Sequence, residues 1–209
     1  MTAAVIADIV GSRELADRAA SQRDLDAAVV RAHADLPVAL RPLVPTVGDE
    51  LQGVYPDLDA ALAAILLLRL ALPEGVDCRF GVGVGETGSV PSAFGDISEG
   101  SAWWAAREAI DALHAKQVRA LPTARTWVAA AESPTPDAVR LANAYAWVRD
   151  ELVTAMSERT RRLVYGRCLG RAQRELAAAE GVTQSAVSQA LAAAGASAVV
   201  AGFRLLADR

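Results

Sequence analysis

At 209 residues the chain can bury one sizeable core or two small ones. Its 53% hydrophobic content rests on alanine, with aromatics at only 5%, and its net charge of −4 is divided unevenly: residues 1–156 hold 13 Lys and Arg against 21 Asp and Glu, whereas residues 157–209 hold 8 against 4. This predicts a globular protein with an acidic body and a basic tail. It excludes a membrane span at "LAAILLLRLAL", which is too short and is broken by Arg69.

The first element is a buried strand, "AVIADIVG", in which a single carboxylate, Asp8, interrupts an apolar run. A helix is predicted over 14–35, with Leu15, Leu25 and Val29 on its inner side. Pro37, Pro42 and Pro45 end it and lead into "TVGDELQGVY", whose Gly-Asp centre predicts a hairpin. A strongly apolar helix follows over 58–72, then a turn at "PEGVD" and a strand at "CRFGVGVGE". Residues 89–99 read as a polar loop, 101–116 as a helix and "ARTWVAAA" as a closing strand.

This order predicts an α+β fold, a sheet of mixed direction covered by helices, because the hairpin at Gly48-Asp49 requires antiparallel neighbours. The prolines and serine of "AESPTPDA" place a boundary between a domain at 1–133 and an all-α domain at 137–209. The start of the chain has no basic segment of a secretory signal, so a cytoplasmic protein without membrane contact is expected. Cys78 and Cys168 lack partners at metal-ligand spacing and read as buried, reduced thiols. His33 and His114 read as structural histidines.

Within the tail, residues 171–195 carry Ala177, Gly181 and Val187 at helix-turn-helix spacing: a small residue where helices cross, a glycine in the turn and a β-branched core residue. Thr183 would cap the second helix, leaving Gln184, Ser185, Ser188 and Gln189 on its outer face, where they can hydrogen-bond base edges. Arg161, Arg162, Arg167, Arg171 and Arg174 lie upstream and would neutralise phosphates, so DNA is the expected partner. The alternative is an Ala-rich helical hairpin used for packing or dimerisation. "GVTQSAVSQALAAAG" resembles the turn and recognition helix of phage repressor and Cro-type proteins.

In the body, Asp8 leaves its strand just before Gly11-Ser12, and Asp49 sits at the hairpin tip. On neighbouring strands the two carboxylates would meet at one end, where a Mg²⁺ or Mn²⁺ ion would relieve their repulsion. Backbone amides near Gly11, Ser12 and Arg13, taken as the start of the helix, would suit a phosphate, making a nucleotide the expected ligand. The alternative is that the aspartates accept backbone amides or pair with Arg13 or Arg79, and that Arg107 pairs with Glu50 or Glu86. The glycines of "GVGVGE" lack dinucleotide-fingerprint spacing and read as permitting close helix packing.

"IADIVGS", "VGDELQGVY", "FGVGVGE" and "SAWWAAREAI" resemble, in order and approximate spacing, the ferredoxin-like homology domain of class III nucleotidyl cyclases. The resemblance implies that Asp8 and Asp49 are metal ligands and that Arg107 stabilises a transition state. Pro45 stands where that family has its base-recognising lysine and Trp103 where it has an asparagine, which implies binding without the usual chemistry. Over nearly the whole chain, "DIVGSRELADR", "TVGDELQGVY", "RFGVGVGE" and "AREAIDAL", followed by the helix-turn-helix, resemble the SatD family of bacterial proteins, with Ala102-Trp103-Trp104 replacing the usual residues before the arginine.

The expected function is therefore a homodimeric DNA-binding transcriptional regulator whose cyclase-like domain binds a nucleotide, with or without metal. The alternatives are a divergent cyclase or other metal-dependent phosphoryl-transfer enzyme using Asp8, Asp49 and Arg107, and a scaffold in which both motifs are vestigial.

Overall fold

The computed structural model describes residues 1–12, 14–15, 17–46, 48–93, 97–131 and 136–208. Strand β1 (Thr2–Ile9) is the middle of a five-stranded sheet. It lies between β3 (Leu51–Tyr55) and β4 (Cys78–Gly85), with β2 (Arg41–Pro45) outside β3 and β7 (Thr126–Ala130) outside β4. All neighbours are antiparallel except β4 and β7, so the sheet is mixed, as the hairpin requires.

Alternation along β1 sends its side chains into two cores. Ala3, Val5, Ala7 and Ile9 meet α1 (Arg18–Asp35) and α2 (Leu58–Ala71) through Leu25, Leu62 and Ile65. Ala4 and Ile6 meet Ala102, Trp103, Ala106 and Ile110 of α3 (Ser101–Arg119). The α3 side is unusually close because β4 turns glycines toward it. A Cβ on Gly81 or Gly83 would lie 2.4 or 2.0 Å from the backbone oxygens of Ala106 and Ala102, so these glycines serve helix packing.

Helix α2 is apolar all round because it is buried all round. Asp57 caps it by accepting from the Ala60 amide at 2.8 Å. One side faces the sheet. The other, with Ala63, Leu66, Leu67 and Leu70, forms a second core with Val153 of α4 (Pro136–Thr154), Leu163 and Val164 of α5 (Glu158–Cys168), Leu176 of α6 (Gln173–Ala179), Val187 of α7 (Gln184–Ala193) and Phe203 of α8 (Ala196–Ala207). The expected boundary at 131–138 includes residues 132–135, which lie outside the described residues. Among the described residues no single helix is long and apolar enough to cross a membrane.

Three regions differ from expectation. Helix α1 starts at Arg18 rather than Glu14, because Asp17 caps it through the Ala20 amide at 2.9 Å. Strand β2 lies at 41–45 and contains Pro42 and Pro45, which an edge strand tolerates because backbone N–H groups on its open side have no ladder partner to lose. The predicted loop contains a small antiparallel pair, β5 (Gly88–Val90) and β6 (Ile97–Glu99), whose short strands the surrounding Pro, Gly and Ser obscured.

Candidate functional site

Asp8 has the same parity as Ala4 and Ile6, so it lies on the α3 face at the end of β1. Directly opposite in the antiparallel register is Arg79 of β4. Arg79 Nε donates to Asp8 Oδ1 at 2.7 Å, and His114 Nε2 lies 3.0 Å from Asp8 Oδ2. Arg79 Nη1 contacts His114 Nδ1 at 2.9 Å and donates to Gln117 Oε1 at 3.2 Å. A guanidinium has only donors, so Nδ1 accepts and Nε2 carries the proton donated to Asp8. Both carboxylate oxygens of Asp8 are thereby engaged.

The other acidic groups here also have cations. Asp49 lies 3.7 Å from Arg18 Nη2, an exposed and therefore weak pair. Arg107 Nη2 binds both oxygens of Glu50, at 2.7 and 2.9 Å, and Gln52 Nε2 donates to Glu50 Oε1 at 2.9 Å. The pairings with Arg79 and Glu50 are those that the sequence left open as alternatives. Among the described residues no three His, Cys, Asp or Glu side chains converge as a metal site.

Gly11 and Ser12 lie in a turn closed by the Glu14 amide donating to Gly11 O at 2.8 Å. Since α1 begins six residues after Ser12 and Asp17 occupies its capping position, these amides are not a helix N-terminus, which corrects the expected geometry of a phosphate nest there. Arg13 lies outside the described residues.

Beside Arg107, a cleft of about 400 Å³ is lined by Ile6, Gln52, Ser98, Trp103 and Trp104. Arg41 fixes one wall, stacking on the Trp103 ring at 5.0 Å and donating to Ser98 Oγ at 2.9 Å. Trp104 is 78% exposed and also lines a second cleft with Thr87, Ser89 and Ser101. An open indole beside a guanidinium and an amide can stack on a planar ligand and bind its polar edge.

In the tail, α6 and α7 are joined by residues 180–183. Gly181 takes φ +64°, and the Val182 amide donates to Ala177 O at 3.0 Å. Thr183 caps α7 by accepting from the Ala186 amide at 3.2 Å. Ala177, Leu176, Val187 and Leu191 are buried, while Gln184, Ser185, Ser188 and Gln189 are exposed.

The upstream arginines divide. Arg162 clamps the turn by gripping both oxygens of Glu180 at 2.8 Å, which holds the Glu180 carboxyl below its ordinary range and raises the Arg162 guanidinium. Arg161 donates to Met156 O and Leu72 O, and Arg167 donates to Arg171 O. These three serve the fold rather than standing free for phosphates. Arg171 and Arg174 are exposed, with no ion pair among the described residues.

Sequence reasoning missed His114 as a partner of Asp8. The available signal was its position seven residues after Arg107, two turns along the same side of α3. Arg41 and Gln52 had no sequence signal, since their roles depend on strand register.

Comparison with solved structures finds similarity to a bacterial light-regulated adenylyl cyclase, at 14% identity and TM-score 0.44, covering 61% of this chain and 74% of that one. It also finds the guanylyl cyclase Cya2, at 13% identity and TM-score 0.41, covering 53% and 69%. No curated protein matches. The SatD family model matches residues 2–200, nearly the whole length, and the chain belongs to the SatD family.

Proposed function

We propose that this chain is a DNA-binding transcriptional regulator, acting as a homodimer, whose α+β body binds a nucleotide. The observation that carries the reading is the α6–turn–α7 unit. Its inner side is packed and its turn is clamped by Arg162, while Gln184, Ser185, Ser188 and Gln189 stand exposed near the start of α7. Side chains in that position read major-groove edges, Thr183 and neighbouring amides approach a phosphate, and Arg171 and Arg174 supply charge. The acidic body repels DNA, so contact is confined to the tail. One such unit reads few base pairs, hence the dimer.

For the body, the cleft beside Trp104 and Arg107 supports a planar, polar-edged ligand such as a nucleotide base. Asp8 and Asp49 would hold Mg²⁺ or Mn²⁺ only after release from Arg79, His114 and Arg18. The bidentate hold of Glu50 on Arg107 weighs against a catalytic role for that arginine.

The test is selection of bound sequences from a random duplex pool by the full chain, with and without nucleotides. Wild type should enrich one sequence. Gln184→Ala/Gln189→Ala should lose base preference while keeping weak, salt-sensitive binding through Arg171 and Arg174. Failure of wild type to enrich any sequence under either condition would sink the reading.

A further inference from the structure

Carboxylates that await a divalent ion converge on one another and, without the ion, repel. Asp8 is arranged differently. Arg79 Nε takes Oδ1, His114 Nε2 takes Oδ2, and Arg79 Nη1 closes the ring onto His114 Nδ1. Arg79 is held in place on its far side by Gln117 and by pairing with Asp8 in the strand register. Both members of the pair are largely enclosed, with side-chain exposures of 20% for Asp8 and 15% for Arg79. Nearby, Arg107 likewise holds both oxygens of Glu50, whereas Arg18 faces Asp49 only at 3.7 Å.

We infer that Arg79 is the resident counter-cation of Asp8 and keeps divalent ions out, so that the body takes its ligand without a metal. A divalent ion coordinating Asp8 would have to displace or crowd at least one of these donors and bring a second positive charge against an enclosed guanidinium, which is costly in a partly desolvated site. The ligand half of this statement rests on the nucleotide reading above. The exclusion half does not, because it concerns the protein before any nucleotide binds.

The experiment titrates the metal-free full chain with Mn²⁺ and follows free Mn²⁺ by electron paramagnetic resonance. Wild type should show no site tighter than about 1 mM that depends on Asp8. Arg79→Gln should gain a site at least about tenfold tighter, and Asp8→Asn added to that variant should remove it. Wild-type binding abolished by Asp8→Asn, or an Arg79→Gln protein no different from wild type, would overturn the inference.

Should Arg79→Gln not fold, the melting temperature of Asp8→Asn decides. It should fall, because Arg79 loses its partner; an unchanged or raised value, as expected when carboxylates awaiting a metal are neutralised, overturns the inference. If no nucleotide binds the wild-type protein, the functional reading fails while the Mn²⁺ and melting results still judge Arg79. A nucleotide that binds only with Mg²⁺ present counts against metal-free binding.

Discussion

At the scale of single residues, this chain assigns polar and glycine positions by strand parity. Gly83 shares the α3 face with Arg79 and Gly81, and α3 approaches so closely that a methyl there would meet Ala102 O at 2.0 Å and the Ala106 amide nitrogen at 2.2 Å. Backbone atoms cannot rotate aside as a side-chain tip can. Gly83→Ala should therefore cost about 3 kcal/mol or more, read by urea unfolding; a loss below about 1 kcal/mol would mean that α3 slides away cheaply. The alternation of glycine and valine in "GVGVG" carried this packing role openly. Asp8 was half legible: its cost in a buried strand marked it as special, and Arg79 stood among its alternative partners. His114 was legible only as a residue on the Arg107 side of α3; that it closes on Asp8 depends on the distance between α3 and the sheet that the glycines set.

At the scale of elements, the sheet and the helical layer are joined by polar groups that no periodicity announces. Strand β7 is an edge, and Asn143 of α4 closes it, donating to Val128 O at 2.9 Å and accepting from the Val128 amide at 2.8 Å. Asp150 of α4 is fully buried and accepts from Arg69 of α2 at 2.7 Å, from Arg149 at 2.7 Å and from the Arg125 amide at 2.6 Å. Burial lowers the Arg69 pKa, with Asp150 the main influence opposing it, so the carboxylate is what allows two guanidinium groups to stay inside. Removing only that charge should be severe: Asp150→Asn should cost about 3–5 kcal/mol in denaturant unfolding. A cost under about 1 kcal/mol would show that Asp77, 3.9 Å from Arg69, suffices as counter-charge. Arg69 was visible in the sequence only as an interruption of an apolar run, since its partner lies 81 residues away. Helices, the hairpin turn and β3 were legible because periodicity and turn chemistry are local; β2 and the β5–β6 pair were not, because prolines at an edge and three-residue strands lack such a pattern.

At the scale of the whole molecule, α2 belongs to two cores, which makes the body and the helical region interdependent. Its sheet-facing side packs with β1 and β4, and its opposite side, with Ala63, Leu66, Leu67 and Leu70, packs on α5 and α8 and shares one core with residues of α4, α6 and α7. Composition placed a boundary near 131–138, but composition reports linker chemistry and not which faces of an earlier helix remain to be covered. A chain ending at Ala131 would leave those four α2 residues in water and lose Asp150 from Arg69. Each fully buried aliphatic side chain contributes about 1.5–3 kcal/mol, so exposing the three leucines alone removes a share comparable to the roughly 5–15 kcal/mol by which a domain is stable. The fragment 1–131 should therefore aggregate or bind a hydrophobic dye with no cooperative unfolding, and the full chain should unfold in one transition by circular dichroism and by tryptophan fluorescence alike. A fragment that melts cooperatively, or two separated transitions in the full chain, would show that the second core adds to a body already stable. The single-transition outcome would also give the two regions a physical means of communication: a ligand that shifts α3 or the hairpin acts on a sheet whose covering helix is also a wall of the core beneath α7.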